Sequence, residues 1–237
     1  LQGPKSRDVL LGMHGDESLK AAIKKLPWAG VLHGELGGYD LIIARTGYTG
    51  ERVAFELFVN PDDAPRLVSD LVEGGATPIG LAARDSLRTE AGLPLYGHEM
   101  GGELGLGVAE AGFGAYVKTY KPWFIGRQAY LAREHRRQGV VVRFTFNEKG
   151  VRVAHLGDPV LDRRGKVIGT VTSCALDKEG TLTGQAYIDL KNAETGASIY
   201  IYQGAPAKAG KAPAEMKPGD RTTLPSQAAV ISRFAKL

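Results

Sequence analysis

From Val140 onward, apolar and polar residues alternate in short runs, and a period of two admits strands and little else. The runs are residues 140–146, 160–161, 166–173, 182–189, 198–202 and 228–234, with turn sequences such as Asp162-Arg163-Arg164-Gly165 between them. Short, evenly spaced strands of this kind close into a small barrel or pack as a sandwich. Residues 207–218, rich in Ala, Pro, Lys and Gly, read as a mobile loop.

Ahead of residue 138 the signals are mixed. Residues 31–36 and 39–45 are apolar runs separated by Gly37-Gly38, a hairpin signal because both turn positions can take positive φ. Residues 54–59 read as a further strand. Val9, Leu10 and Met13 fall at helical spacing, and a second helix is expected over 18–26, capped by Asp16 or Ser18 and stopped by Pro27. Asn60-Pro61-Asp62-Asp63 predicts a helix start, with Asn60 as cap, Pro61 at the first position and two acids facing the positive helix end. Ala64, Leu67, Val68, Leu71 and Val72 would form its buried stripe, and Gly74-Gly75 its end. One more helix runs from about Gly80 to Ala91, ahead of Gly92 and Pro94. Hairpins with packed helices, then strands alone, give an α+β chain: an α+β region over 1–137 and a C-terminal β-barrel domain over 138–237.

Composition narrows the function classes. A chain of 237 residues buries a sizeable core, and 43% hydrophobic with 24% charged residues is ordinary for a globular protein. No apolar run approaches ~18 residues, so no membrane span is expected, and Leu1-Gln2-Gly3-Pro4-Lys5 lacks the pattern of a signal peptide. Cys174 stands alone, so it forms no internal disulfide and no Cys-rich metal site; it reads as a small buried apolar residue in a cytoplasmic or mitochondrial-matrix protein. The net charge of +4 is mild and its cations are mixed with acids, which speaks against nucleic acid as a partner. The one dense run, residues 133–137, reads as a solvated helix end. Five histidines show no metal-ligand spacing.

One stretch is unlike structural filler. Arg45-Thr46-Gly47-Tyr48-Thr49-Gly50-Glu51 is a glycine-rich turn that feeds Phe55-Glu56-Leu57, a carboxylate set in an apolar run. After a helix comes Gly80-Leu81-Ala82-Ala83-Arg84-Asp85-Ser86-Leu87-Arg88-Thr89-Glu90-Ala91-Gly92-Leu93-Pro94-Leu95-Tyr96-Gly97, where Arg84 and Arg88 share a helix face. Taken singly, each of these charged residues reads as solvated or paired with a neighbouring acid. Taken together, the string closely resembles the glycine-cleavage T protein, a folate-dependent aminomethyltransferase. Leu1-Gln2-Gly3-Pro4-Lys5, Phe124-Ile125-Gly126-Arg127-Gln128-Ala129, Gly169-Thr170-Val171-Thr172-Ser173 and Gln185-Ala186-Tyr187-Ile188 resemble further segments of that family.

The resemblance implies the family's fold, antiparallel sheets with packed helices followed by a barrel. It also implies tetrahydrofolate as the one-carbon acceptor. A carboxylate accepts both the exocyclic amine and the adjacent ring N–H of a pterin edge, and by motif position that residue is Glu56. One extra residue between Glu51 and Glu56 keeps Glu51 as an alternative. Arg84 matches the family's folate-contacting arginine and Tyr48 a tyrosine of the same pocket. The implied reaction moves an aminomethyl group from a lipoyl carrier protein to tetrahydrofolate and releases ammonia. The family's catalytic aspartate belongs to an N-terminal region with no counterpart in this sequence; Asp40 and Asp85 do not match it, so no catalytic residue is assigned. Ala115 stands where the family commonly has tryptophan, leaving Phe113 or Tyr116 to compensate and leaving room for a related folate enzyme that uses another donor. A non-catalytic relative serving iron–sulfur proteins is disfavoured, since its Lys-Gly-Cys motif is missing near Trp123.

Overall fold

The computed structural model describes residues 1–203 and 224–234, so the loop expected over 207–218 lies outside the described residues. The chain divides into two compact units, Leu1–Arg84 and a second from Asp85 onward. Among the described residues, no helix is long and apolar enough to cross a membrane.

The first unit packs α1 (Ser6–Gly12), α2 (Glu17–Lys25) and α3 (Ala64–Glu73) with a three-stranded antiparallel sheet of β1 (Val31–Leu36), β2 (Tyr39–Ala44) and β3 (Glu56–Phe58), in that order. Gly37 and Gly38, at φ 66° and 78°, make the hairpin turn between β1 and β2 as their sequence requires. Period-two alternation sends Leu36, Leu41 and Ile43 into a core with Leu10, Ile23, Phe55 and Leu67. The opposite sheet face leaves Val31, Ile42 and Phe58 exposed. Asp16 caps α2, its side chain accepting from the Ser18 N–H at 3.2 Å.

The start of α3 departs from expectation. Asn60 Oδ1 accepts from the Asp62 N–H at 3.1 Å, closing a turn over residues 60–63, so the helix begins at Ala64 behind Asp63. The side chain that was to cap the helix caps that turn instead. Its buried stripe is also narrower, since Leu67 is buried whereas Val68 and Val72 are exposed.

The second unit holds most of α4 (Leu81–Ala91), then α5 (Arg127–His135) and the strands β4 (Gly139–Phe146), β5 (Pro159–Leu161), β6 (Val167–Leu176), β7 (Leu182–Asp189), β8 (Ser198–Ile201) and β9 (Ser226–Ile231). These close into an antiparallel barrel in the order β4-β7-β6-β5-β8-β9, with β9 pairing back onto β4. Closure removes the open sheet edges that a sandwich would keep. Phe144, Phe146, Val160, Val171, Ile188, Ile199 and Ile201 fill the barrel.

The end of α4 is tied to the barrel by a buried polar network. Arg88 and Glu99 are both fully buried and 3.3 Å apart. Arg88 also donates to Ser173 Oγ on β6 at 2.7 Å and to Asp85 at 2.7 Å. Glu99 accepts from Ser173 Oγ at 2.8 Å and from the Leu95 N–H at 2.7 Å, so both its oxygens are satisfied. A buried charge demands this kind of saturation.

Cys174, also on β6, is half-buried, and burial pushes its thiol up to about 11. A thiolate-specific disulfide reagent is expected to leave it unmodified near pH 8 in the folded chain and to react once denaturant is added. Between the ordinary 9.0 and about 11, the unfolded thiol gives up its proton while the folded one keeps it. The unfolded state then binds fewer protons, so this group's contribution to stability falls as pH rises through that window.

Candidate functional site

The glycine-rich turn between β2 and β3 has the conformation its residues dictate. A Cβ on Gly47 would lie 2.5 Å from Ala54 Cβ and 2.8 Å from Gln2 Oε1, and Gly50 takes φ 84°, so both positions require glycine. Thr49 Oγ1 donates to Gln2 Oε1 at 2.5 Å and Arg45 Nη1 to the Leu26 carbonyl at 2.8 Å. The turn is thereby pinned at both ends.

Glu56 lies on β3 opposite Ala44 of β2 and is exposed, with buried Phe55 before it and half-buried Leu57 after it. Its Oε2 accepts from Thr46 Oγ1, which fixes the carboxylate against the turn while leaving acceptor sites toward solvent. Glu51 is engaged differently: its Oε1 accepts from the Val53 N–H at 3.0 Å, inside its own turn. Of the two acids, Glu56 is the one held by a side chain of the motif and still open to a ligand.

Arg84, half-buried near the start of α4, places its guanidinium carbon 5.7 Å from the centroid of the Tyr48 ring. The structure therefore brings Tyr48 and Arg84 together and sets Glu56 on the same turn-strand segment as Tyr48. No ion pair joins Arg84 to Glu56 among the described residues, so the guanidinium is not consumed by that carboxylate. An acceptor fork and a cation over an aromatic ring suit a flat ligand with an N–H edge and a carbonyl or carboxylate elsewhere.

A cavity of about 580 Å³ lies elsewhere, within the second unit, lined by Ala115, Tyr130, Glu134, Arg137, Val142 and Arg233 among others. None of Tyr48, Glu56 or Arg84 lines it. Ala115 opens onto this space. Beside it, Phe113 meets Tyr116 edge-on at 5.4 Å and stacks on Phe234 at 5.9 Å, so both expected aromatic substitutes are packed against other rings. What sequence reasoning missed is the depth of Arg88: it was expected to meet Asp85, Glu90 or solvent, and Glu99 gave no signal.

A three-stranded sheet with packed helices, then a closed six-stranded barrel, places the chain among α+β proteins of the T-protein fold. The aminomethyltransferase T of the glycine cleavage system from Bartonella henselae superposes with a TM-score of 0.71 at 24% identity, over 98% of this chain and 57% of that one, which shows the fold. Residues 1–121 match the GCVT N-terminal domain family, and the chain belongs to that family. Proteins called aminomethyltransferase are similar to it: that of Streptomyces avermitilis is 39% identical over 84% of this chain and 53% of its own length. The Thermus thermophilus protein is 41% identical over 68% of this chain and 44% of its own. The chain thus spans about half the length of the curated relatives it matches.

Proposed function

We propose that this chain binds tetrahydrofolate for aminomethyl transfer in glycine cleavage, taking the one-carbon unit from a lipoyl carrier protein. In that reaction N5 of the folate attacks the methylene carbon, ammonia leaves, the carrier thiol is freed and methylene-tetrahydrofolate forms. The observation that carries the reading is the Glu56 carboxylate, oriented by Thr46 and open to solvent, in the same unit as the Arg84–Tyr48 pair. In this reading Glu56 accepts the amine and ring N–H of the pterin edge, Arg84 takes a carbonyl or carboxylate oxygen, and the Tyr48 ring lies along the ligand's flat face. These residues bind and orient; none is assigned proton transfer.

Calorimetric titration of tetrahydrofolate into the chain tests this. Glu56→Gln keeps the shape but offers an N–H where an acceptor is needed. Glu56→Gln and Arg84→Ala are each expected to weaken binding by about 1 kcal/mol or more, a several-fold rise in Kd, since each removes a charge-assisted hydrogen bond from a site that is only partly screened from solvent. Equal affinity in wild type and both variants would remove the site assignment. Ala115, standing where the family commonly has tryptophan, favours a second reading: a folate-dependent transferase or demethylase drawing on another donor. Turnover with the aminomethylated carrier separates the two.

A further inference from the structure

The cavity of about 580 Å³ in the second unit takes no part in the proposed folate site. Its size is usual for a small organic ligand, roughly 300–1,000 Å³. Two charged side chains on its wall, Glu134 near the end of α5 and Arg137 just beyond it, form a lopsided ion pair. Arg137 Nε and Nη2 both reach Glu134 Oε1, at 3.0 Å and 2.9 Å. A guanidinium fork facing a carboxylate frequently engages both oxygens in parallel. Here, among the described residues, Glu134 Oε2 is buried and has no hydrogen-bond partner.

The nearby cations do not fill that vacancy. Arg133 donates to Glu110 at 2.5 Å and to the Gly105 carbonyl at 2.7 Å. Arg233, also on the cavity wall, donates to the carbonyls of Gly92 and Ala111. A buried carboxylate oxygen left in this state calls for a donor. Arg137 in turn makes no hydrogen bond through Nη1 among the described residues. The pair therefore offers an acceptor and a donor edge side by side. Around it the walls are apolar: Val140, Ala193 and Ile231 are half-buried, and Ala115 is exposed.

We propose that this cavity binds an α-amino acid with a large apolar side chain. Its ammonium donates to Glu134 Oε2, its carboxylate accepts from Arg137, and its side chain lies against Val140, Ile231 and Ala115. A carboxylic acid without an amine would leave Oε2 unpaired and set a second anion beside it. An amine without a carboxylate would face the guanidinium groups of Arg137 and Arg233 with no anion of its own. Only a head group of both signs meets the pair on both edges. Ala115 and Ala193 are small, and the space they leave is what the apolar side chain takes. The site is separate from Tyr48, Glu56 and Arg84, none of which lines the cavity.

Calorimetric titration of L-phenylalanine into the chain tests this. Saturable binding is expected, with 3-phenylpropanoate, which lacks the ammonium, and phenethylamine, which lacks the carboxylate, each at least about tenfold weaker. Glu134→Gln removes the charge at nearly unchanged size and should weaken phenylalanine at least about tenfold. Ala115→Trp fills the cavity with an indole and should abolish binding. Tetrahydrofolate affinity should be unchanged by Glu134→Gln. No saturable binding of phenylalanine by the wild-type chain overturns the proposal, as does binding that neither variant weakens. Equal affinity for 3-phenylpropanoate, phenethylamine or the neutral 3-phenylpropanamide overturns it as well, because the charged pair would then not be what the ligand meets. Displacement of bound phenylalanine by tetrahydrofolate would also overturn it, by giving the cavity to the folate. Phenylalanine binding with the expected variant losses, in a chain that takes up no tetrahydrofolate, would sustain the cavity site and sink only the proposed function.

Discussion

Glu99→Ala is expected to destabilise the second unit by about 3–5 kcal/mol, the usual effect of stranding one member of a buried ion pair. Glu99 and Arg88 are both fully buried, and Glu99 also accepts from Ser173 Oγ and the Leu95 N–H. Without the carboxylate, the Ser173 hydroxyl loses an acceptor and the Leu95 N–H loses its partner. The guanidinium of Arg88 keeps Asp85, which is partly exposed and lies toward the helix rather than the barrel. In a chain of this size the loss corresponds to a midpoint lower by about 10 °C in thermal unfolding. Replacing both members, Arg88→Met with Glu99→Leu, is expected to cost less than Glu99→Ala alone, because no fully buried charge is left unpaired and Asp85, which loses Arg88, is partly exposed to solvent. A single-variant loss below about 1 kcal/mol, or a double variant worse than both singles, would show that the network is not what holds α4 to the barrel.

Phe144→Ala is expected to cost a comparable 3–5 kcal/mol, roughly, through lost transfer energy and the cavity left behind. The ring is fully buried on β4 and meets Phe146 edge-on at 5.5 Å. It lies over Gly184 of the paired strand β7, so closely that a Cβ there would come within 2.5 Å of Phe144 Cζ. The pair is one large residue and one absent side chain filling a single space. Phe144→Leu, nearer in volume, should lose about 1.5 kcal/mol or less, and Gly184→Ala about 1–3 kcal/mol from overpacking. Denaturant midpoints with unchanged slopes would measure all three. Equal losses for Phe144→Leu and Phe144→Ala would mean that the ring's fit against Gly184, rather than its bulk, carries the stability.

The elements that the sequence made plain were those whose signals are local. Gly37-Gly38 produced the hairpin because positive φ at two successive positions is a property of the residues themselves. Alternation after Val140 foretold every barrel strand to within a few residues, and Ala91-Gly92 ended α4 with Gly92 at φ 82°. Asn60 misled because its side chain serves a turn or a helix cap equally well, and a bond to Asp62 two residues on decided it. Val68 and Val72 misled because helical spacing orients a stripe without saying how much of it the neighbouring elements reach.

For the candidate site, Glu56, Arg84 and Tyr48 came from a whole string of residues and its resemblance to a family, since no single one of them is distinctive. Their chemistry was legible: a carboxylate, a guanidinium and a ring. That Glu56 is fastened by Thr46 while Glu51 is spent on Val53 was not, because the two acids differ only in what the fold sets beside them.

Local conformational preference, set by φ freedom, period and capping chemistry, is thus what this sequence determined by itself: strands, helices, turns and the α+β order. Closure was decided by the tertiary structure, since alternation suits a barrel or a sandwich alike until β9 pairs with β4. So was the burial of Arg88. Its partner Ser173 lies 85 residues away along the chain, and no local rule distinguishes an arginine bound for water from one bound for the core. The desolvation cost of that charge can be met only by groups the fold brings from elsewhere.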